Sequence, residues 1–234
     1  MINFPFIDTN ILTRYISLIV KYKIILIDCP WAYNRTGGQA CVTKYKRMSD
    51  KDIYNLPIND IAADDCALLC WMTFPKLSEG IKAIESWGFI IKTVFVTWIK
   101  TNPKNNKPFF GVGSYTKSNA EVCMLCSKGS TANLLPPRKS QVGPDYIGKL
   151  RNDSMSSVLL YPRTEHSAKP PIVRTMIQDM FIDCPKIEIF ARQRVDGWDS
   201  IGYGVDSMDI SQSLELIKND QYDAKNYIQP TDDI

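Results

Sequence analysis

No stretch of the 234-residue chain is apolar for the length of a membrane span, which needs about twenty residues. The most apolar N-terminal part, 16–27, is short and is cut by Lys21 and Lys23. A signal peptide is absent too, because Asp8 and Arg14 fall where its apolar core should be. Histidine is nearly missing: His166 stands alone. Seven cysteines are an odd number, which argues against a disulfide framework and for reduced thiols. There is no internal repeat and no linker that would split the chain. These absences point to a soluble, cytoplasmic protein (nuclear or in a host cell, for a eukaryotic or viral source). The remaining composition, 44% hydrophobic and 23% charged, is ordinary for a globular domain.

Charge is unevenly placed. From Asp206 to Ile234 there are seven acids and two lysines, a net of −5, which leaves +8 of the overall +3 for residues 1–205. A mildly basic body suits a polyanion, and an acidic tail would oppose it. A solvated surface accounts for the same numbers.

The most informative stretch is Ile24-Ile25-Leu26-Ile27-Asp28-Cys29-Pro30-Trp31. Four consecutive apolar, mostly β-branched residues predict a buried strand. It ends at an acid, a proline and a large ring. Open α/β sheets hold their ligands at the carboxyl ends of strands, so this end is a candidate site. It is equally a strand cap with Trp31 packed under a loop.

Further along, Ser49 reads as the N-cap of a helix with Asp52 at its third position, ending by Pro57. Residues 66–72 predict a buried strand. A helix opens at Pro75 and stops at Gly88. Residues 89–99 and 120–127 predict two strands joined by the lysine-bearing loop 100–118, hence antiparallel neighbours. Residues 128–156 read as irregular, 158–160 as a short strand, and Pro170-Pro171 as the start of a helix with Ile172, Val173, Met176, Ile177, Met180 and Phe181 on one stripe. Residues 186–190 are one more strand, and 211–218 a last short helix. The pattern predicts an α/β protein, a mostly parallel sheet with one antiparallel hairpin and helices on both faces. Residues 1–206 form one domain, and 207–234 an acidic, polar tail.

Several separated motifs meet in one family. Asp28-Cys29-Pro30-Trp31 resembles the Asp-Pro-Pro-Trp motif of adenine-N6 methyltransferases. Tyr45-Lys46-Arg47-Met48-Ser49 resembles the Tyr-x-x-Met-Ser of the MT-A family, and His166-Ser167-Ala168-Lys169-Pro170 its His-Ser-x-Lys-Pro. Asn119-Ala120-Glu121, and 186–192 with Gly197-Trp198-Asp199 and Gly202, also fit. The order is kept from about Tyr22 to Asp206, most like the short bacterial and phage members. The resemblance implies a Rossmann-like, class I methyltransferase fold with permuted motif order. It also implies S-adenosylmethionine as cofactor and methyl transfer to the exocyclic amine of adenine in nucleic acid, DNA ahead of RNA; with no convincing ligand cluster in the sequence, no metal is expected. Strands that flank the cofactor strand in larger relatives would be missing or supplied by residues 1–20 and the tail. The same reaction on RNA, or a silent nucleic-acid-binding relative, is the alternative; a homodimer or a related subunit is allowed.

By that resemblance Asp28 and the Cys29 carbonyl accept the amine hydrogens, with Pro30 and Trp31 completing the catalytic motif. Trp31 would stack on the base, with Tyr33, Tyr45, Lys46, Arg47 and His166 as further substrate contacts. Lys169 would reach the cofactor carboxylate or Asp28. Arg192, Arg194, Gly202 and Tyr203 fall where relatives hold the cofactor. The chain departs from the family at Cys29, which replaces a proline, and at Tyr203, where relatives often carry asparagine. Cys29 as a nucleophile is disfavoured: the one histidine is no ready base, and alkylating an amine needs no thiolate. Cys123-Met124-Leu125-Cys126 has a metal-like spacing, but it and Cys66 and Cys70 sit in apolar strand runs and read as buried small hydrophobes.

Overall fold

The computed structural model describes residues 21–33, 47–113, 115–165 and 167–222. The first strand, β1 (Tyr22–Ile27), is central and alternates its apolar side chains between the two faces of a seven-stranded sheet. Ile25 and Ile27 join one apolar cluster, Ile24 and Leu26 the other. That double burial is why the run is continuously hydrophobic rather than alternating.

The other strands are β2 (Ala62–Met72), β3 (Ile90–Thr101), β4 (Ala120–Lys128), β5 (Val158–Pro162), β6 (Lys186–Ile189) and β7 (Asp199–Ile201). Their spatial order is β5-β3-β4-β2-β1-β6-β7. β1 is parallel to both β2 and β6, β3 to β5 and β6 to β7, while β4 runs antiparallel between β2 and β3. The sheet is thus the expected mostly parallel one with an antiparallel hairpin, β3–β4. The sequence reading lacked β7. It has only three residues, too few for a periodic signal. It takes the edge beside β6, where a strand was expected to be missing or supplied by residues 1–20 and the tail; residues 1–20 lie outside the described residues.

Helices α1 (Asp50–Tyr54), α2 (Ile58–Ile61), α3 (Leu77–Ser86) and α6 (Ile210–Lys218) cover one face through Ile53, Ile58, Ile61, Ile84, Ile210, Leu214 and Ile217. The other face is covered by α4 (Ile172–Met180), through Val173 and Ile177, and by Leu134 of the 3₁₀ turn Thr131–Leu134. One turn of helix, α5 (Tyr203–Asp206), follows β7. Ser49 caps α1 as expected, its hydroxyl accepting the Asp52 N–H at 3.2 Å. α6 lies inside the stretch read as a polar tail, yet three of its apolar side chains, Ile210, Leu214 and Ile217, are buried in the common core. Buried Asp206 ties it down, accepting hydrogen bonds from the Ser213 and Tyr222 hydroxyls at 3.1 and 2.7 Å. The tail's charges through residue 218 therefore belong largely to the wet side of a packed helix.

Candidate active site

After β1 the chain crosses to β2 on one side, and it returns to β6 on the other. β1 therefore marks the place where the strand order reverses. Its carboxyl end is where such sheets leave a crevice. Asp28 is the first residue beyond it. The backbone there is pinned. The Trp31 N–H donates to the Cys29 carbonyl at 3.0 Å, the Met48 N–H to the Pro30 carbonyl at 2.9 Å, and the Ala32 N–H to the Met48 carbonyl at 3.0 Å. Motif residues 28–31 and 47–49 are thus held side by side.

Asp28 heads a chain of alternating charges. The Lys169 ammonium lies 2.8 Å from Asp28 Oδ2 and 3.1 Å from Glu121 Oε2. Glu121 Oε1 in turn pairs with the Lys100 ammonium at 2.5 Å. The four residues come from the ends of β1, β4 and β3 and from the segment before α4. Lys169 also sits 5.7 Å from the centre of the Trp71 ring, and Lys100 lies 5.1 Å from that of Trp98. Glu121 is buried, whereas about a third of the Asp28 side chain stays open, 31%. Of these two carboxylates only Asp28 is reachable by a substrate.

The two carboxyls are pushed in opposite directions. For Asp28, burial dominates and raises it above the ordinary carboxylate value, with Lys169 pulling it back and Glu121 adding repulsion. For Glu121, burial also raises, but Lys169 and Lys100 together outweigh it and hold the carboxyl low. Lys169 stays charged: its burial is overcome by its two carboxylates. Burial also pushes the Cys29 thiol far up, and neighbouring Cys70 and Asp28 add to this, so a thiolate there is strongly disfavoured.

On the aromatic side of the site, the packed reading of Trp31 is the one the geometry takes. Trp31 is not an exposed ring; it is 5% accessible and part of the core, with the Lys76 ammonium 5.6 Å from its centre. Its apolar area, joined to the core cluster, is worth more buried than at the surface. Tyr33 is half-buried. Its hydroxyl shares a 2.6 Å hydrogen bond with Thr73 Oγ1, and it lies within electrostatic reach of Glu121, Lys169 and Asp28. The sequence reading passed over Phe74. It follows β2, the strand beside β1, and is 53% exposed. An exposed aromatic directly after a buried strand was the available signal.

The MT-A70 family model matches residues 22–204. The chain belongs to the MT-A70 family. It is 30% identical to the type II methyltransferase M.MunI of a Mycoplasma species over 204 residues, 78% of this chain and 77% of that one. It is 26% identical to the human N(6)-adenine-specific methyltransferase METTL4 over 196 residues, 77% of this chain but 37% of the longer human one. A plant relative, the N6-adenosine-methyltransferase non-catalytic subunit MTB of Arabidopsis thaliana, matches at 30% over 115 residues, 47% of this chain. The chain is an adenine-N6 methyltransferase of this family, and enzymes of this class take their methyl group from S-adenosylmethionine.

In this MT-A70 protein the remaining expected site residues divide. Arg192 is half-buried just past the end of β6, and its charge reaches Asp28. Arg194 is exposed and acts on Tyr222. Gly202 has φ of +147°, and a Cβ there would press on the backbone of Phe190 and Ala191 at 2.8–2.9 Å. Its glycine is thus demanded by packing between β7 and the end of β6. Tyr203 is exposed at the start of α5. Arg47 is exposed beside Met48. Tyr45, Lys46 and His166 lie outside the described residues. Among the described residues, no three of His, Cys, Asp and Glu are placed to hold a metal.

Cys123 and Cys126 face opposite sides of the sheet, one in each apolar cluster. A three-residue step along a strand always does this. They cannot share an ion, and both are buried, as are Cys66 and Cys70.

Proposed function

We propose that this protein methylates the N6 amine of adenine in DNA, with Asp28 as the catalytic carboxylate. The observation that carries the reading is the partly open Asp28 at the reversal point of the sheet, oriented through one oxygen by Lys169, which Glu121 in turn holds. The likeness to the type II methyltransferase, across more than three quarters of both chains, favours DNA.

The adenine amine is a weak nucleophile because its lone pair is delocalised into the ring. Accepting both its hydrogens draws that pair out of conjugation and aims it. Lys169 occupies Oδ2 of Asp28, so Oδ1 is the oxygen left for one amine hydrogen. The Cys29 carbonyl takes the other. It already accepts the Trp31 N–H, and its second lone pair remains. Proline is not needed at position 29 for that, which fits the substitution. S-adenosylmethionine supplies an electrophilic methyl group on a sulfonium. The donor set suits it: Arg192 and Lys169 match its carboxylate, and Asp28 its ammonium. Once the amine has gained the methyl group it sheds a proton, and Asp28, its carboxyl raised by burial, is the acceptor at hand. Most of the gain comes from alignment, on the order of 7 kcal/mol in favourable cases. With Trp31 in the core, Tyr33 and Phe74 are the rings at hand for the base. A second copy or a related subunit would be a further partner, in keeping with the plant relative's name as a subunit.

The test is methyl transfer from labelled cofactor to unmethylated DNA and to RNA in parallel, followed by digestion to nucleosides. Labelled N6-methyldeoxyadenosine is expected. Label in N6-methyladenosine alone would replace DNA by RNA, and no label in either would overturn the reading.

A further inference from the structure

Between β3 and β4 the chain leaves the sheet at the same end as Asp28. The base of this excursion, 102–118, is closely tied to the site. The Lys100 N–H donates to the Asn119 carbonyl at 2.8 Å, and the Phe109 N–H donates to the Lys100 carbonyl at 2.7 Å. Pro108 bridges to Thr101, and the Arg163 guanidinium covers the Phe109 ring at 3.9 Å. Lys100 is itself the last member of the charge chain that begins at Asp28.

Beyond that base the loop narrows. A Cβ on Gly111 would overlap the Ser118 carbonyl, and one on Gly113 would overlap the Thr116 carbonyl. The two limbs approach more closely than any side chain permits, and glycine is required at both places. This close pairing carries Phe110, Val112 and Tyr115 out into solvent, 67%, 81% and wholly exposed. Burying such side chains is ordinarily favourable, so three of them on one narrow projection mark a contact surface. Around them stand exposed Lys104, Lys107 and Lys117, and residues 100–118 contain no acid.

An adenine inside a duplex cannot reach Asp28 without leaving the stack. We propose that loop 102–118 enters the stack beside the target, with Tyr115 and Phe110 stacking on the bases left without a neighbour. Lys104, Lys107 and Lys117 then take the flanking phosphates. The inference rests on the nucleic-acid methyltransferase reading above and adds a part to it. The partner is a paired nucleic acid, because the basic rim has no use against an uncharged surface and the rings have no use against phosphate alone. Ring-on-base stacking is tolerant of sequence and loses roughly tenfold or more in binding when the ring is removed.

The experiment compares the parent with Phe110→Ala/Tyr115→Ala on long unmethylated DNA, native and heat-denatured. Both side chains that change are exposed, and equal thermal melts confirm that the fold is kept. Transfer to native DNA is expected to fall about tenfold or more, while transfer to denatured DNA, where no stack must be opened, changes by less than about twofold. Tyr115→Trp is expected to retain transfer to native DNA. Equal losses on both forms, or no loss on native DNA, would overturn the wedge while leaving the enzyme reading intact. A parent that methylates neither form would remove the reading beneath it as well.

Discussion

The molecule uses the same local kit twice. Lys169 meets Asp28 and Glu121 under the Trp71 ring; Lys76 meets Asp50 at 2.8 Å and Glu79 at 3.2 Å under the Trp31 ring. Each is one lysine, two carboxylates and one tryptophan. In the second cluster the acids come from short helices close to the lysine, both partly wet, 38% and 29% accessible. It fastens α1 to the start of α3. In the first cluster the partners are 141 and 48 positions away in sequence and lie on strand ends. One acid is sealed, and the other is left reachable. What makes a site of the kit is the asymmetry between its two carboxylates.

The strongest way to break the comparison is Asp28→Asn. The amide still fills the place but accepts poorly and cannot take the proton. Turnover should fall roughly a hundredfold or more, read as kcat rather than KM in the methylation assay. The fold should survive, since only a surface-facing strand end changes.

Lys169→Met comes next, because it leaves two facing carboxylates without their shared cation. Both turnover and stability should drop, the latter by roughly 3 kcal/mol, seen as a lowered melt. Lys76→Met should cost only about 1 kcal/mol, because its partners are water-screened, and leave turnover per folded molecule unchanged. Equal loss of activity in the two variants would erase the distinction drawn here.

A pH series sharpens it further. Asp28 has its carboxyl raised in the folded protein, so it binds its proton more tightly there than in the unfolded chain. Its contribution to stability is present below the unfolded carboxyl value and lost as pH rises through the folded one. Glu121 is depressed and behaves in reverse: its contribution is present above the unfolded value and lost as pH falls through the folded one. Asp28→Asn should therefore gain in relative melting temperature as pH rises from acid toward neutral, whereas Glu121→Gln should lose. Turnover of the parent should fail on the acid side at a pH above that of an ordinary aspartate. The smallest effect belongs to Cys29→Pro, which keeps the carbonyl and should change turnover by no more than a few-fold.

The comparison also explains what could be read beforehand. The run ending at Asp28 was legible because burial on both faces writes a continuous apolar signature, and Lys169 because its motif is short and ordered. Glu121 stood in a fitting motif without a role of its own; it is paired to Lys169 and through it reaches Asp28. Lys100, at the start of the lysine-bearing loop 100–118, is spent on Glu121. No local pattern announces a pair that only the β3–β4 hairpin brings together. Trp31 read equally as a stacking ring and as a ring packed under a loop, because position in sequence shows where a side chain starts, not what covers it. β7 was invisible for its brevity.

Among the described residues, Cys29, Cys66, Cys70, Cys123 and Cys126 are buried and Cys184 is half-covered. Burial pushes the Cys66 and Cys126 thiols up to about 12. At neutral pH an alkylating reagent finds almost no thiolate on these strands, so their capture waits for the sheet to open. The chain thus carries its own clock. Mass-resolved labelling of the strand cysteines times the separation of β2 from β4, and labelling of Cys29 times the loosening of the segment beside Asp28. Whether added cofactor slows the second clock without touching the first can be read from one digest.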